Sequence, residues 1–318
     1  MPIFNRRSAP TSLVAILCRI VYTRALYESP RRVSRIAGTH TTQPHCPAPP
    51  CYATLLQNRL ALSRPHQQNS NAMPNYRYIA SCNFTLFYPE WSARIQNYLQ
   101  GKVDIIRCCT EKYRVKDFEE QMAPSVAEQW KRTPHYREFA PDTCMISACH
   151  NCTAIFQEKR PDIKVISLWE YILHHVEDFP YPNFGGEEMA VQDCWRQHDN
   201  EREQDAVRQL LRKMNIIPVE LKQNRTHTHY CGISTLRPAP KRNLAMAPHR
   251  FVDQAQGFFT PHTPEEQKAH MEAYCQQITT PSIVAYCHYC TQGFALINQP
   301  HFHLCELLFK NLLPPTTP

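Results

Sequence analysis

Met145-Ile-Ser-Ala-Cys-His-Asn-Cys152 and Ser282-Ile-Val-Ala-Tyr-Cys-His-Tyr-Cys290 share one pattern: a short apolar run, then two cysteines separated by two residues. A run of that length suits a buried strand, which leaves both cysteine pairs at a strand's carboxyl end. Outward from each, the match continues. Cys82 follows a strand predicted at 76–80, and Cys108 and Cys109 close the next one, predicted at 103–106. In the second half Cys194 follows the apolar residues 189–192, and Cys231 stands in Tyr230-Cys231-Gly232. The offset between equivalents grows from 112 (Cys82 to Cys194) to 122 (Cys109 to Cys231) and 138 (Cys149 to Cys287, and Cys152 to Cys290). Order and context are retained while loops lengthen, which is the mark of an internal duplication.

Helical stripes separate these strands. Trp91, Ile95, Tyr98 and Leu99 recur at helical spacing, as do Val207, Leu210, Leu211 and Met214, with Asn200 and Glu203 placed as a capping box. Thr263, Pro264 and Glu266 supply the N-cap, first-turn proline and N3 acid of a further helix, and strands are predicted at 216–221 and 282–286. Strands alternating with helices imply an α/β fold with mostly parallel sheets. Residues 179–186, Phe-Pro-Tyr-Pro-Asn-Phe-Gly-Gly, break the rhythm and read as a linker. The expected architecture is therefore two pseudo-symmetric repeats, 73–178 and 187–318, each a small parallel sheet flanked by helices, behind a disordered or spurious N-terminal tail at 1–72.

Composition agrees with a folded body. Of the 318 residues 42% are hydrophobic and 20% charged, enough apolar material for a real core. The net charge of +7 belongs to the tail, whose nine arginines face one acid, Glu28; the rest sums to −1 and offers no global nucleic-acid surface. No apolar run reaches the roughly 20 residues of a membrane span. The 15 cysteines, two of them adjacent, look more like metal thiolates than structural disulfides and suggest a reducing, cytoplasmic setting.

Thiolates at successive loops, each just past a strand, would gather at the carboxyl edge of a parallel sheet, where open α/β folds bind ligands. Such donors prefer soft ions, so iron–sulfur clusters or zinc are favoured over magnesium or calcium, and a metal-free dithiol pair at Cys149 and Cys152 is the alternative. The order Cys, Cys-Cys, C-x-x-C, twice over, resembles the duplicated cysteine-rich CCG domain found in heterodisulfide reductase and in related iron–sulfur oxidoreductases, and residues 303–309 look like that domain's last helix. The resemblance implies a first site of Cys82, Cys108, Cys109, Cys149 and Cys152, able to hold a non-cubane four-iron cluster. It implies a second of Cys194, Cys231, Cys287 and Cys290, suited to a regular 4Fe–4S cluster or zinc. The first copy reads Cys108-Cys109-Thr110, without the motif's glycine, and the second lacks one cysteine of the pair.

The function implied is that of an iron–sulfur redox subunit, similar to heterodisulfide reductase, passing electrons between a partner subunit, carrying flavin or clusters, and a thiol, disulfide or other small acceptor. No G-x-G-x-x-G is present to bind a dinucleotide, so the electrons would come from that partner. The alternative is a zinc-binding structural or assembly module without redox activity. Cys144, Cys275 and Cys305 read as core. His174, His175, His227 and His229 read as solvated, and Arg196, His198 and Lys241 as surface residues; His150 and His288, inside their motifs, either donate a hydrogen bond to a sulfur or are solvated spacers.

Overall fold

Tyr78, Ile79 and Ala80 are wholly buried at the end of β1 (Asn75–Ala80), and the chain crosses back over this strand repeatedly to build the first sheet. The computed structural model describes residues 75–107, 124–132 and 139–312, all inside one unit, 67–318. The tail expected at 1–72 lies outside the described residues, and so do Cys108 and Cys109.

After β1 come α1 (Cys82–Phe87) and α2 (Pro89–Leu99), β2 (Asp104–Arg107), α3 (Pro124–Arg132), β3 (Thr143–Ser147), α4 (His150–Lys159), β4 (Lys164–Ser167) and α5 (Leu168–His175). The second half repeats the series with β5 (Glu187–Gln192), α6 (Glu201–Lys213), β6 (Ile216–Glu220), α7 (Lys241–Met246), α8 (Pro264–Cys275), β7 (Ser282–Ala285), α9 (His288–Leu296), β8 (His301–His303) and α10 (Leu304–Leu308). Each sheet is four-stranded and parallel throughout, in the orders β2-β1-β3-β4 and β6-β5-β7-β8, so the two have the same topology. The α/β architecture of two pseudo-symmetric parallel sheets is as the sequence implies. The central strands β3 and β7 are buried along their whole length, as expected of strands covered on both faces.

The halves share a core through exchanged helices. α5, which ends the first series, packs against α6 of the second. Reciprocally, the turn that follows α10 returns to α2: Phe309 meets Tyr98 edge-on at 5.9 Å, and the Arg94 guanidinium donates to the Leu312 carbonyl at 2.6 Å. One apolar cluster runs from Ile79 and Ile146 through Val207 and Leu210 to Leu308.

His303, the N-cap of α10, is fully buried and takes the Cys305 backbone N–H on Nδ1. Burial pushes its pKa down to about 3, with His288 nearby adding to the effect. The unfolded chain therefore binds a proton near pH 6.5 that the folded chain refuses, so the contribution of His303 to stability is fully present above that pH and falls as the pH drops toward 3. We expect His303→Asn, which keeps a capping acceptor, to flatten this acid limb in urea titrations run at successive pH values.

Candidate metal centre

Cys194 and Cys287 each stand two residues past the end of a neighbouring strand, β5 and β7, and each is the N-cap of the helical turn that follows. Cys290 lies in the first turn of α9, its N–H bonded to the Cys287 carbonyl at 2.9 Å. Cys231 arrives from the loop after β6, which is tied to the Cys194 turn by a Trp195 N–H to Tyr230 carbonyl bond of 2.9 Å. The parallel sheet thus brings three loops to one edge, and the four sulfurs lie within 4.8 Å of one another, all buried.

That approach depends on Gly232. Its φ is +58°, and a Cβ there would stand 2.0 Å from the Tyr289 carbonyl oxygen, inside the turn that carries Cys287 and Cys290. Gly232→Ala would have to push the Cys231 loop off α9. We expect it to cost about 2–4 kcal/mol in urea unfolding, from overpacking joined to a left-handed alanine, and to weaken metal retention in the same preparation.

The protein around the sulfurs is arranged for negative charge. Burial opposes ionisation of Cys287, but hydrogen bonds from Cys194, Cys231 and Cys290, together with the His150 charge, hold its thiol well below the ordinary value. At Cys231 burial is likewise outweighed, by bonds from Cys194 and Cys290 and by the Arg196 guanidinium. Burial raises Cys194 and Cys290 well above the ordinary thiol value. Cys194 and Cys231 are 3.5 Å apart, sulfur to sulfur.

Two cations support this charge. Arg196, 1% exposed, donates from Nε to Cys231 Sγ at 3.1 Å, and its guanidinium lies 4.4 Å from the Tyr289 ring centre. His150, 3% exposed, bonds Glu203 at 3.2 Å; burial alone would strip its proton, but Glu203 and Cys287 push its pKa up to about 10. Glu203 therefore turns inward to His150, and the capping box read at Asn200 is only half made: Asn200 Oδ1 accepts the Glu203 N–H, but no return bond reaches the N-cap backbone. Arg196, read from sequence as a surface residue, is corrected to a buried one, and His150 and His288 are buried rather than solvated spacers. His174, His175, His227 and His229 are exposed as expected, and Cys144, Cys275 and Cys305 are core.

The first repeat differs. Cys82 begins α1 after β1, Cys149 is the N-cap of α4 and Cys152 lies in its first turn, so all three reach the equivalent sheet edge. Cys152 donates to Ser81 Oγ at 3.4 Å, and Arg242 approaches Cys82 Sγ at 3.9 Å. Among the described residues only the second-repeat group has three or more possible ligand atoms within 4.8 Å of one another. Cys108 and Cys109 would complete the first set and lie outside the described residues. All ten described cysteines are free thiols, and no described helix is long and apolar enough to cross a membrane.

The chain matches no protein-family model and no curated protein. Among solved structures it is similar to the glutamate racemase isoform RacE1 of Bacillus anthracis, at 11% identity and a TM-score of 0.28, over 74% of this chain and 79% of that one. It is also similar to an aspartate racemase homologue from Pyrococcus horikoshii, at 9% identity and a TM-score of 0.27, over 76% and 97% of the two chains. A third is the glutamate racemase of Francisella tularensis, at 11% and 0.29, over 74% and 78%. Likeness at this level leaves racemase chemistry with those proteins. The expectation of an iron–sulfur oxidoreductase subunit that transfers electrons for a partner is nevertheless corrected: these similar structures are glutamate and aspartate racemases or a racemase homologue.

Proposed function

We propose that this is a metal-binding protein whose second repeat holds a single zinc ion between Cys194, Cys231, Cys287 and Cys290, in a closed site with a structural role. The observation that carries the reading is the spacing of the four buried sulfurs, none more than 4.8 Å from another. Zinc–thiolate bonds of about 2.3 Å set the edge of a tetrahedron at about 3.8 Å, and the 3.5 Å between Cys194 and Cys231 is close to that edge. A four-iron cubane interposes irons and sulfides between the same thiolates and holds them farther apart. Four protein ligands leave no open coordination position, the arrangement of structural rather than catalytic zinc.

Charge supports the reading as well. Four thiolates around a divalent ion keep two negative charges, and Arg196 and His150 stand against Cys231 and Cys287 to offset them. Ten free buried thiols suit a reducing compartment such as the cytoplasm.

The test is metal and sulfide analysis of the full chain purified under reducing, anaerobic conditions, followed by cobalt substitution. Zinc at one ion per chain, no acid-labile sulfide, and a cobalt form with the absorption of tetrahedral thiolate coordination are expected. Iron with sulfide, or no metal retained after reductive loading with zinc, would overturn the reading.

A further inference from the structure

The inner residues of each C-x-x-C cross to the other repeat. Asn151, between Cys149 and Cys152, donates from Nδ2 to Tyr289 Oη at 3.0 Å and accepts on Oδ1 from Arg196 at 3.0 Å and from Asn243 at 3.3 Å. Tyr289, between Cys287 and Cys290, also takes a bond of 2.5 Å from Asn83, the neighbour of Cys82. Arg196 is the hinge between the sets, since the same guanidinium that meets Asn151 donates to Cys231 Sγ. Asn83, Asn151 and Arg196 are at most 7% exposed. Water is not at hand to replace a partner that any of them loses, so a shift of one group obliges the next to move.

Resting on the zinc reading above, we propose that filling the second-repeat site fixes the conformation, and so the accessibility, of Cys82, Cys149 and Cys152 in the first, through Arg196, Asn151 and Tyr289. Bound metal pins Cys231 and the Cys287–Cys290 turn. Pinned, these hold Arg196 and Tyr289 in the positions that Asn151 and Asn83 require. Without metal, no ion bridges the four sulfurs and the turn is free to loosen, Arg196 loses its fixed acceptor, and the Cys149–Cys152 turn opens locally. The first-repeat thiols, 1–8% exposed in the closed form, then become reactive. Metal occupancy in one repeat is thereby reported as thiol chemistry in the other.

The experiment uses the full chain, zinc-loaded or stripped with a chelator, treated with iodoacetamide at fixed pH, with alkylation of Cys82, Cys149 and Cys152 followed by peptide mass spectrometry. Zinc is expected to slow their modification about tenfold, within the usual range of coupling between two sites. Tyr289→Phe keeps the ring against Arg196 and removes both hydroxyl bonds; combined with Asn151→Ala it is expected to retain zinc while losing most of the protection. Cys231→Ser should react at the stripped rate even with zinc present, which separates coupling from direct metal binding to the first-repeat thiols. Full protection in the Tyr289→Phe, Asn151→Ala chain, or in Cys231→Ser, overturns the coupling and leaves the zinc reading standing. A wild-type chain that binds no zinc, seen by metal analysis before any alkylation, overturns the zinc reading itself.

Discussion

With zinc held by the four sulfurs as proposed, stripping it from the chain is expected to lower the unfolding temperature by about 10–20 °C, and Cys287→Ser is expected to do the same with zinc in excess. Structural tetrathiolate zinc contributes roughly 10–16 kcal/mol of apparent binding energy near pH 7, and metal bound only by the folded state is folding energy. Domains of this size are stable by only about 5–15 kcal/mol, and each kcal/mol moves the midpoint by about 2–4 °C, so losing even a third of the metal's contribution is a large shift. Cys287 is the position to choose because Cys194, Cys231, Cys290 and His150 all converge on its sulfur. A serine hydroxyl does not ionise there, and His150 would be left beside it as a buried cation with only Glu203 to answer it. Scanning calorimetry with and without chelator reads the effect, and coincident midpoints for native, stripped and variant chains would refute it.

Asp193→Ala is expected to cost about 3–5 kcal/mol in urea unfolding, the penalty for breaking a buried ion pair by removing one member. Asp193 is fully buried and receives four bonds: two from the Arg208 guanidinium at 2.7 and 2.8 Å, one from Tyr286 Oη at 2.7 Å and one from the Arg225 N–H at 2.7 Å. Deleting the carboxylate leaves Arg208 with the Gln204 carbonyl and with Glu220, which is 39% exposed and only partly compensates. The network also ties α6 to the ends of β5 and β7, the strands that bring up Cys194 and Cys287, so weaker zinc retention should accompany the loss of stability. Asp193→Asn keeps a similar shape without the charge and is expected to fall between wild type and alanine. Equal stabilities for all three chains would refute the argument.

Long periodic segments were legible in the sequence. The stripes at Trp91 to Leu99 and Val207 to Met214 and the capping box at Thr263 correspond to α2, α6 and α8, and the apolar runs before each C-x-x-C correspond to β3 and β7. The fourth strand of each sheet was not, because β4 (Lys-Val-Ile-Ser) and β8 (His-Phe-His) carry no more than two apolar residues each, too few to stand out as an apolar run. Cysteine order located the thiols that meet, since strand ends in a parallel sheet share an edge. It carried no sulfur-to-sulfur distance, and that distance is what separates a single ion from a cluster. Arg196 and Glu203 were hidden for a different reason. A charge in a sequence reads as solvated, and their partners Asn151 and His150 lie 45 and 53 residues away across the duplication.

The exchanged helices have a consequence for synthesis. α2 is among the first described elements to leave the ribosome, yet the segment that covers it follows more than 200 residues later, Arg94 and Leu312 being 218 apart. The first repeat must therefore wait with an apolar helix face open until the second has been made. A truncated product ending between the repeats would expose that face permanently and should aggregate, however well its own sheet forms.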